Sequence, residues 1–154
     1  MCTVLIVGLL LSNDNVLASF AGTLDNSFMP KVIWGTEPDE LNYPSAQSYL
    51  SLLADAQEIS QILAEFNKAS VELIKAKDVV RAAGLSLLDR SNFHVKRDLQ
   101  KIADKKALSP LLLVRGDGST KLPLTIADGY HRACAVYWNS EDDFIHAKIA
   151  SWPK

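Results

Sequence analysis

Asp128-Gly129-Tyr130-His131-Arg132 gathers a carboxylate, an imidazole and a guanidinium within five residues. The stretch lies between the apolar segment "PLTIA" and the small-residue run "ACAVYW", which reads as a helix. The first backbone N–H groups of a helix have no intrahelical acceptor, and the helix dipole is positive at that end. Gly129 lets a ligand approach the backbone closely. Arg132 supplies a planar donor fork suited to phosphate. His131 supplies a donor or a proton acceptor near neutral pH. Asp128 has three open roles: helix cap, cation contact, or orienter of His131. The ensemble reads as a site for a phosphorylated ligand. Gly129, Tyr130, His131 and Arg132 are its binding residues, and His131 and Asp128 its acid–base candidates. Asp128 is also the candidate contact for a Mg²⁺ ion bridging the ligand. The competing reading is a capped helix with a core-facing histidine and a surface arginine.

Other residues carry weaker chemistry. Lys75 and Lys77 flank the first core element and are candidate phosphate contacts. His94 in "SNFHVKRD" reads as a loop or cap residue. A basic helix over 95–108 presents Lys96, Arg97, Lys101 and Lys105 as a nucleic-acid backbone contact, without the interleaved aromatics that stack bases. Glu141, Asp142 and Asp143 form an acidic turn, His146 reads as structural, and Trp34, Trp138 and Trp152 as core or rim.

The elements that must hold these residues follow from pattern. Pro30, Gly35, Pro38 and Pro44 break the segment 29–44, in which "KVIW" reads as a short edge strand. Ser45 is the expected N-cap of one or two amphipathic helices across 45–67, which cover the core or a partner. "VELI" reads as a short strand or helix entry, and "KDVVRAA" as a helix stopped by Gly84. In the basic helix Val95, Leu99 and Ile102 share one face. Strands are expected at about 110–115, 122–127 and 145–150, sharing one sheet. The fold class is therefore α+β, one domain over 29–154.

The chain of 154 residues has a net charge of −2, so no global basicity points to nucleic acid. The sign is unevenly spread. Residues 1–74 hold two cations against nine carboxylates, and residues 75–154 fourteen against nine, which suggests an anionic partner for the second half. Cys2 and Cys134 have no metal-ligand spacing, and Cys134 reads as a buried thiol in a reducing, cytoplasmic setting. The apolar run "TVLIVGLLL" is too short to span a bilayer and lacks a preceding cation. Residues 1–28 read as an extension, ahead of the signal-peptide alternative, and no membrane partner is expected.

The ordered run of basic helix, "LSPLLLVR", turn, strand, "DGYHRACAVY", acidic turn and strand resembles the ParB/sulfiredoxin superfamily, the ParB-like nuclease domain proteins. Leu108, Pro110, Leu112, Leu113, Val114 and Arg115 match the family's first strand, Gly129, His131 and Arg132 its phosphate motif, and Ala147, Lys148 and Ile149 its closing strand. The resemblance covers about 71–152. It implies a small mixed sheet with flanking helices, here behind an N-terminal helical extension, and a nucleotide ligand (CTP, ATP or ADP), with Mg²⁺, at the helix start. Tyr130 stands where sulfiredoxin has its cysteine, so sulfiredoxin activity is not expected. Partition ParB proteins carry "GERR" and continue into DNA-binding and dimerisation domains, for which these 154 residues leave no room. Three functional readings remain: a nucleotide-binding protein with phosphotransfer or hydrolysis, a nuclease, and a non-catalytic interaction module. The nuclease reading lacks carboxylates besides Asp128. Nothing in the sequence fixes the oligomeric state.

Overall fold

The computed structural model describes residues 29–153, so the expectations on residues 1–28, Cys2 included, lie outside the described residues. In chain order the elements are helices α1 (Asn42–Leu50) and α2 (Ala56–Lys68), strand β1 (Glu72–Lys75), helices α3 (Ala76–Ala83) and α4 (Phe93–Ala103), strands β2 (Leu111–Val114) and β3 (Thr125–Asp128), helix α5 (Tyr130–Asn139) and strand β4 (Phe144–Ala150). The four strands form one mixed sheet in the order β1-β4-β2-β3. β4 runs antiparallel to β1 and parallel to β2, and β3 antiparallel to β2. The α+β class and the shared sheet of the three expected strands are thus present, with β1 added as an edge.

β2 explains the layering. All four of its residues are buried, and successive strand side chains point to opposite faces. Leu111 and Leu113 enter one core with Val79 of α3, Val95 and Ile102 of α4, and Val136 of α5. Leu112 and Val114 enter a second core with Leu50 of α1 and Ile59, Ile62 and Phe66 of α2. A strand apolar on both faces requires cover on both. The amphipathic helices across 45–67 supply one side through Leu50, Ile59, Ile62 and Phe66, while Leu53 between them stays exposed.

Local chemistry moves several boundaries. α1 begins at Asn42 and no side chain caps it, so Ser45 is not its cap. Pro44 lies in the first turn, where its missing N–H has no intrahelical role. α2 starts under a full capping box, with Asp55 accepting from the Gln57 and Glu58 N–H groups and Glu58 accepting from the Asp55 N–H. α4 is not the helix over 95–108. The Asn92 side chain accepts from the His94 and Val95 N–H groups and starts the helix two residues earlier. It ends at Ala103, and Lys105 adopts φ 56°. Gly84 ends α3 with φ 63°, as expected. "KVIW" contributes an isolated bridge of Trp34 to Leu108 rather than a strand.

Two ties place the site. α4 packs along α5, and Lys148, buried in β4, reaches Glu37 at 2.6 Å and anchors the loop ahead of α1 to the sheet. No helix of the described residues is long and apolar enough to cross a membrane.

Candidate functional site

β3 ends at Asp128, Gly129 turns the chain with φ 104°, and α5 begins at Tyr130. Conformation and packing both require the glycine. A Cβ at Gly129 would lie 2.5 Å from Leu111 Cγ and 3.1 Å from Arg132 Nη2.

The Arg132 guanidinium is already engaged within the chain. Its side chain is only 11% exposed. Nη1 donates to the Ser109 carbonyl at 2.6 Å and the Pro110 carbonyl at 3.3 Å, and Nη2 donates to the Asp128 carboxylate. The guanidinium locks the β3–α5 junction onto the approach to β2. Asp128 therefore neither caps α5, which has no side-chain cap, nor hydrogen-bonds His131. Its carboxylate is engaged by Arg132. Tyr130 donates its hydroxyl to the Ser86 carbonyl. Burial, and then the nearby Cys134 thiol, push its pKa up.

His131 meets a partner from α4. The rings of His131 and His94 lie 4.6 Å apart between centroids at an angle of 40°. Burial holds the His131 pKa below its usual value, His94 and Arg97 add to this, and Asp98 and Asp128 oppose it. His94 is thus a helix residue packed against His131, not a loop residue.

The two helices, the segment Asp39–Asn42 and Ser109 enclose a cleft of about 340 Å³. Asp128, Gly129, His131 and Arg132 form one wall, and Arg97, Asp98 and Lys101 the facing one. Asp98 is 2% exposed and its Oδ1 has no hydrogen-bond partner. The nearest cations are Lys101 Nζ at 3.4 Å and Arg97 Nε at 3.9 Å. Asp98 and Lys101 were not singled out together as site residues by the sequence. The signal was there: an acid at position 98 shares the Val95–Ile102 apolar stripe, where a carboxylate is out of place.

The structure does not bring Lys75 and Lys77 to this cleft. Lys75 Nζ and Lys77 Nζ lie 2.9 and 2.6 Å from Asp142 Oδ1, just past the C-terminal end of α5. Hydrogen bonds from Lys77 and then Lys75 hold the Asp142 carboxyl down to about 2. α5 has ten residues, which at 1.5 Å rise each puts roughly 15 Å between its ends.

The expected Mg²⁺ contact fits poorly. Asp128 is engaged by Arg132, and Asp98 is flanked by two cations. Among the described residues no group of three or more His, Cys, Asp or Glu side chains is arranged to hold a metal. Cys134 is a fully buried free thiol, its pKa raised by burial.

Outside the cleft, Phe93 is 73% exposed at the start of α4. It borders a groove of about 510 Å³ lined also by Lys96, Arg97, Gln100, Lys101, Asp104 and Lys106. An aromatic therefore does accompany the cations of this helix. Lys105 and Lys106 lie beyond its end. Arg97 and Lys101 border both the groove and the cleft.

Searches against family models, curated proteins and solved structures find no match to this chain.

Proposed function

We propose that this chain binds a phosphorylated small molecule, first of all a nucleotide such as CTP, ATP or ADP, in the cleft at the start of α5. The observation that carries the reading is an uncapped helix N-terminus opening onto a cleft where Arg97, Lys101 and His131 stand beside Asp39, Asp98 and the Arg132-paired Asp128. Uncapped first-turn N–H groups and positive side chains favour an anion. The resemblance of the chain to ParB/sulfiredoxin proteins supports the same ligand class. The roles differ from those the motif alone implies. Arg97, Lys101 and His131 contact the phosphates, while Arg132 and Asp128 build the frame. Phosphotransfer or hydrolysis at this site is a further step that would need a proton acceptor, for which His131 is the candidate. Calorimetric titration with CTP, ATP, ADP and GTP tests the reading. Micromolar to millimolar binding that Arg97→Ala and Lys101→Ala each weaken supports it, and no binding by any of the four overturns it.

A second reading draws on one separate observation, the exposed Phe93 among Lys96, Arg97 and Lys101. Cations that track a backbone beside a ring that stacks a base suit single-stranded nucleic acid, and a nuclease would need such a surface. Fluorescence anisotropy with a labelled single strand tests it. Binding that weakens in Phe93→Ala and falls with added salt supports it, and absence of binding at low salt ends it.

A further inference from the structure

Asp98 has no place in a site built only for phosphate. It shares the cleft with the carboxylates of Asp39 and Asp128, the second of them engaged by Arg132, and a negative charge set between Arg97 and Lys101 repels a phosphate. Its residue is 2% exposed, and Oδ1 is buried without a hydrogen-bond partner. Lys101 at 3.4 Å and Arg97 at 3.9 Å offset its charge without donating to that oxygen. Both cations keep about half their side chains exposed, at 41% and 55%, so they are free to turn toward a ligand. A buried acceptor left unpaired is costly. Such an acceptor, lining a cleft, selects a ligand that brings the missing donor.

We infer that Asp98 is the specificity residue of this cleft, accepting a hydrogen bond from a hydroxyl or amino group that the ligand carries beside its phosphate. The inference rests on the phosphorylated-ligand reading above and narrows it. The ligand is a phosphate ester with a donor group close to the ester, not inorganic phosphate or polyphosphate. Two surfaces then divide the molecule. The α5 N-terminus and His131 take the phosphate, and Asp98, on α4 across the cleft, takes the donor. Asp98 lies one turn along α4 from His94, whose ring meets His131 of the opposite wall. A cation is a poorer occupant for this oxygen, because two positive side chains already flank it.

The test compares two probes on the full chain at pH 8. Tripolyphosphate supplies the charge without a hydroxyl or amino group on carbon, and ATP and CTP supply both. Wild type should prefer a nucleotide by about tenfold or more, the order of one charge-assisted hydrogen bond. Asp98→Ala should weaken the nucleotide by about tenfold and tighten tripolyphosphate, since removing a negative charge beside Arg97 and Lys101 strengthens the field on a bare anion. This opposite movement is a signature that a merely structural role would not give. If Asp98→Ala does not fold, Asp98→Asn keeps the shape and a weaker acceptor, and the nucleotide preference should fall at least threefold. Equal loss of both probes, or an unchanged preference, overturns the inference. If wild type binds tripolyphosphate and nucleotide equally, the inference fails and the phosphate reading stands. If it binds neither, the phosphate reading itself fails and takes the inference with it.

Discussion

Arg132 donates from Nη2 to the carboxylate of Asp128, four residues earlier, across the glycine that joins β3 to α5. The same guanidinium donates to the carbonyls of Ser109 and Pro110. The motif's guanidinium, the group best suited to phosphate, is therefore turned inward, where it fixes the angle at which α5 leaves the sheet. The surface that remains for an anion comes from α5's backbone, His131 and the cations of α4.

Arg132→Ala removes three hydrogen-bonded contacts and leaves a mostly buried carboxylate without its partner. It should cost about 2–4 kcal/mol of stability, in line with breaking a buried ion pair by deleting one member. Arg132→Lys should recover only part of this, because one ammonium cannot reach the carboxylate and both carbonyls in the same fork geometry. Urea unfolding of the unliganded proteins measures both. A stability within 0.5 kcal/mol of wild type, roughly the noise of a surface substitution, combined with lost ligand binding, would return Arg132 to the role of a free phosphate ligand.

Gly129→Ala should be still harder to accommodate. The φ of 104° disfavours any side chain, and the new Cβ would lie 2.5 Å from Leu111 Cγ. Backbone strain and overpacking together should cost about 2–5 kcal/mol. Leu111→Ala in the same chain should relieve the steric part, so a double-mutant cycle should show coupling. Additive losses would mean that the close packing is not the cause.

Lys75→Ala and Lys77→Ala should leave ligand affinity within about twofold, since both side chains serve Asp142 at the far end of α5. Their visible effect should be a rise of the Asp142 carboxyl from about 2 toward its ordinary value, followed by NMR titration. A tenfold loss of nucleotide affinity in either variant would bring the lysines back to the binding site.

The His131 pKa lies below 6.5 in the folded chain, first because of burial and then because of His94. Between that lowered value and 6.5 the unfolded chain binds more protons. Stability should therefore rise with pH across this window, level off above 6.5, and fall on acidification. His131→Asn should flatten the slope in part. His146, whose pKa burial also lowers, should supply another share. A bound phosphate acts in the opposite sense, because it favours the imidazolium. Near pH 6–7 wild type should take up more protons on binding than His131→Asn, seen by calorimetry in buffers of different ionisation enthalpy, since the ligand's own phosphate titrates alike in both. Equal proton exchange in the two proteins would contradict a phosphate beside this ring.

The elements were largely legible because their causes are local. The run Leu111–Val114 announces a strand buried on both faces, Val95 and Ile102 mark the inner stripe of α4, and Gly84 ends α3 in the left-handed conformation it alone adopts easily. Boundaries moved where a single side chain decided them, as Asn92 did for α4. The motif at 128–132 was correctly placed at a strand-to-helix junction for the same local reason.

The division of labour within the motif belongs to the tertiary structure. Sequence spacing brings Asp128 and Arg132 one helical turn apart, but only the seating of α5 beside β2 puts the Ser109 and Pro110 carbonyls within reach and turns the arginine inward. Likewise His94 and Asp98 gain their meaning from the packing of α4 along α5, which sets one imidazole against another and closes a buried acceptor into the cleft. Periodicity tells which face of a helix is apolar; it cannot tell which distant residue that helix will meet. That is fixed by how the layers fit, through close packing summed over many contacts. The separation of Lys75 and Lys77 from the motif has the same origin, because sequence holds no measure of which end of α5 the β1–α3 junction would reach.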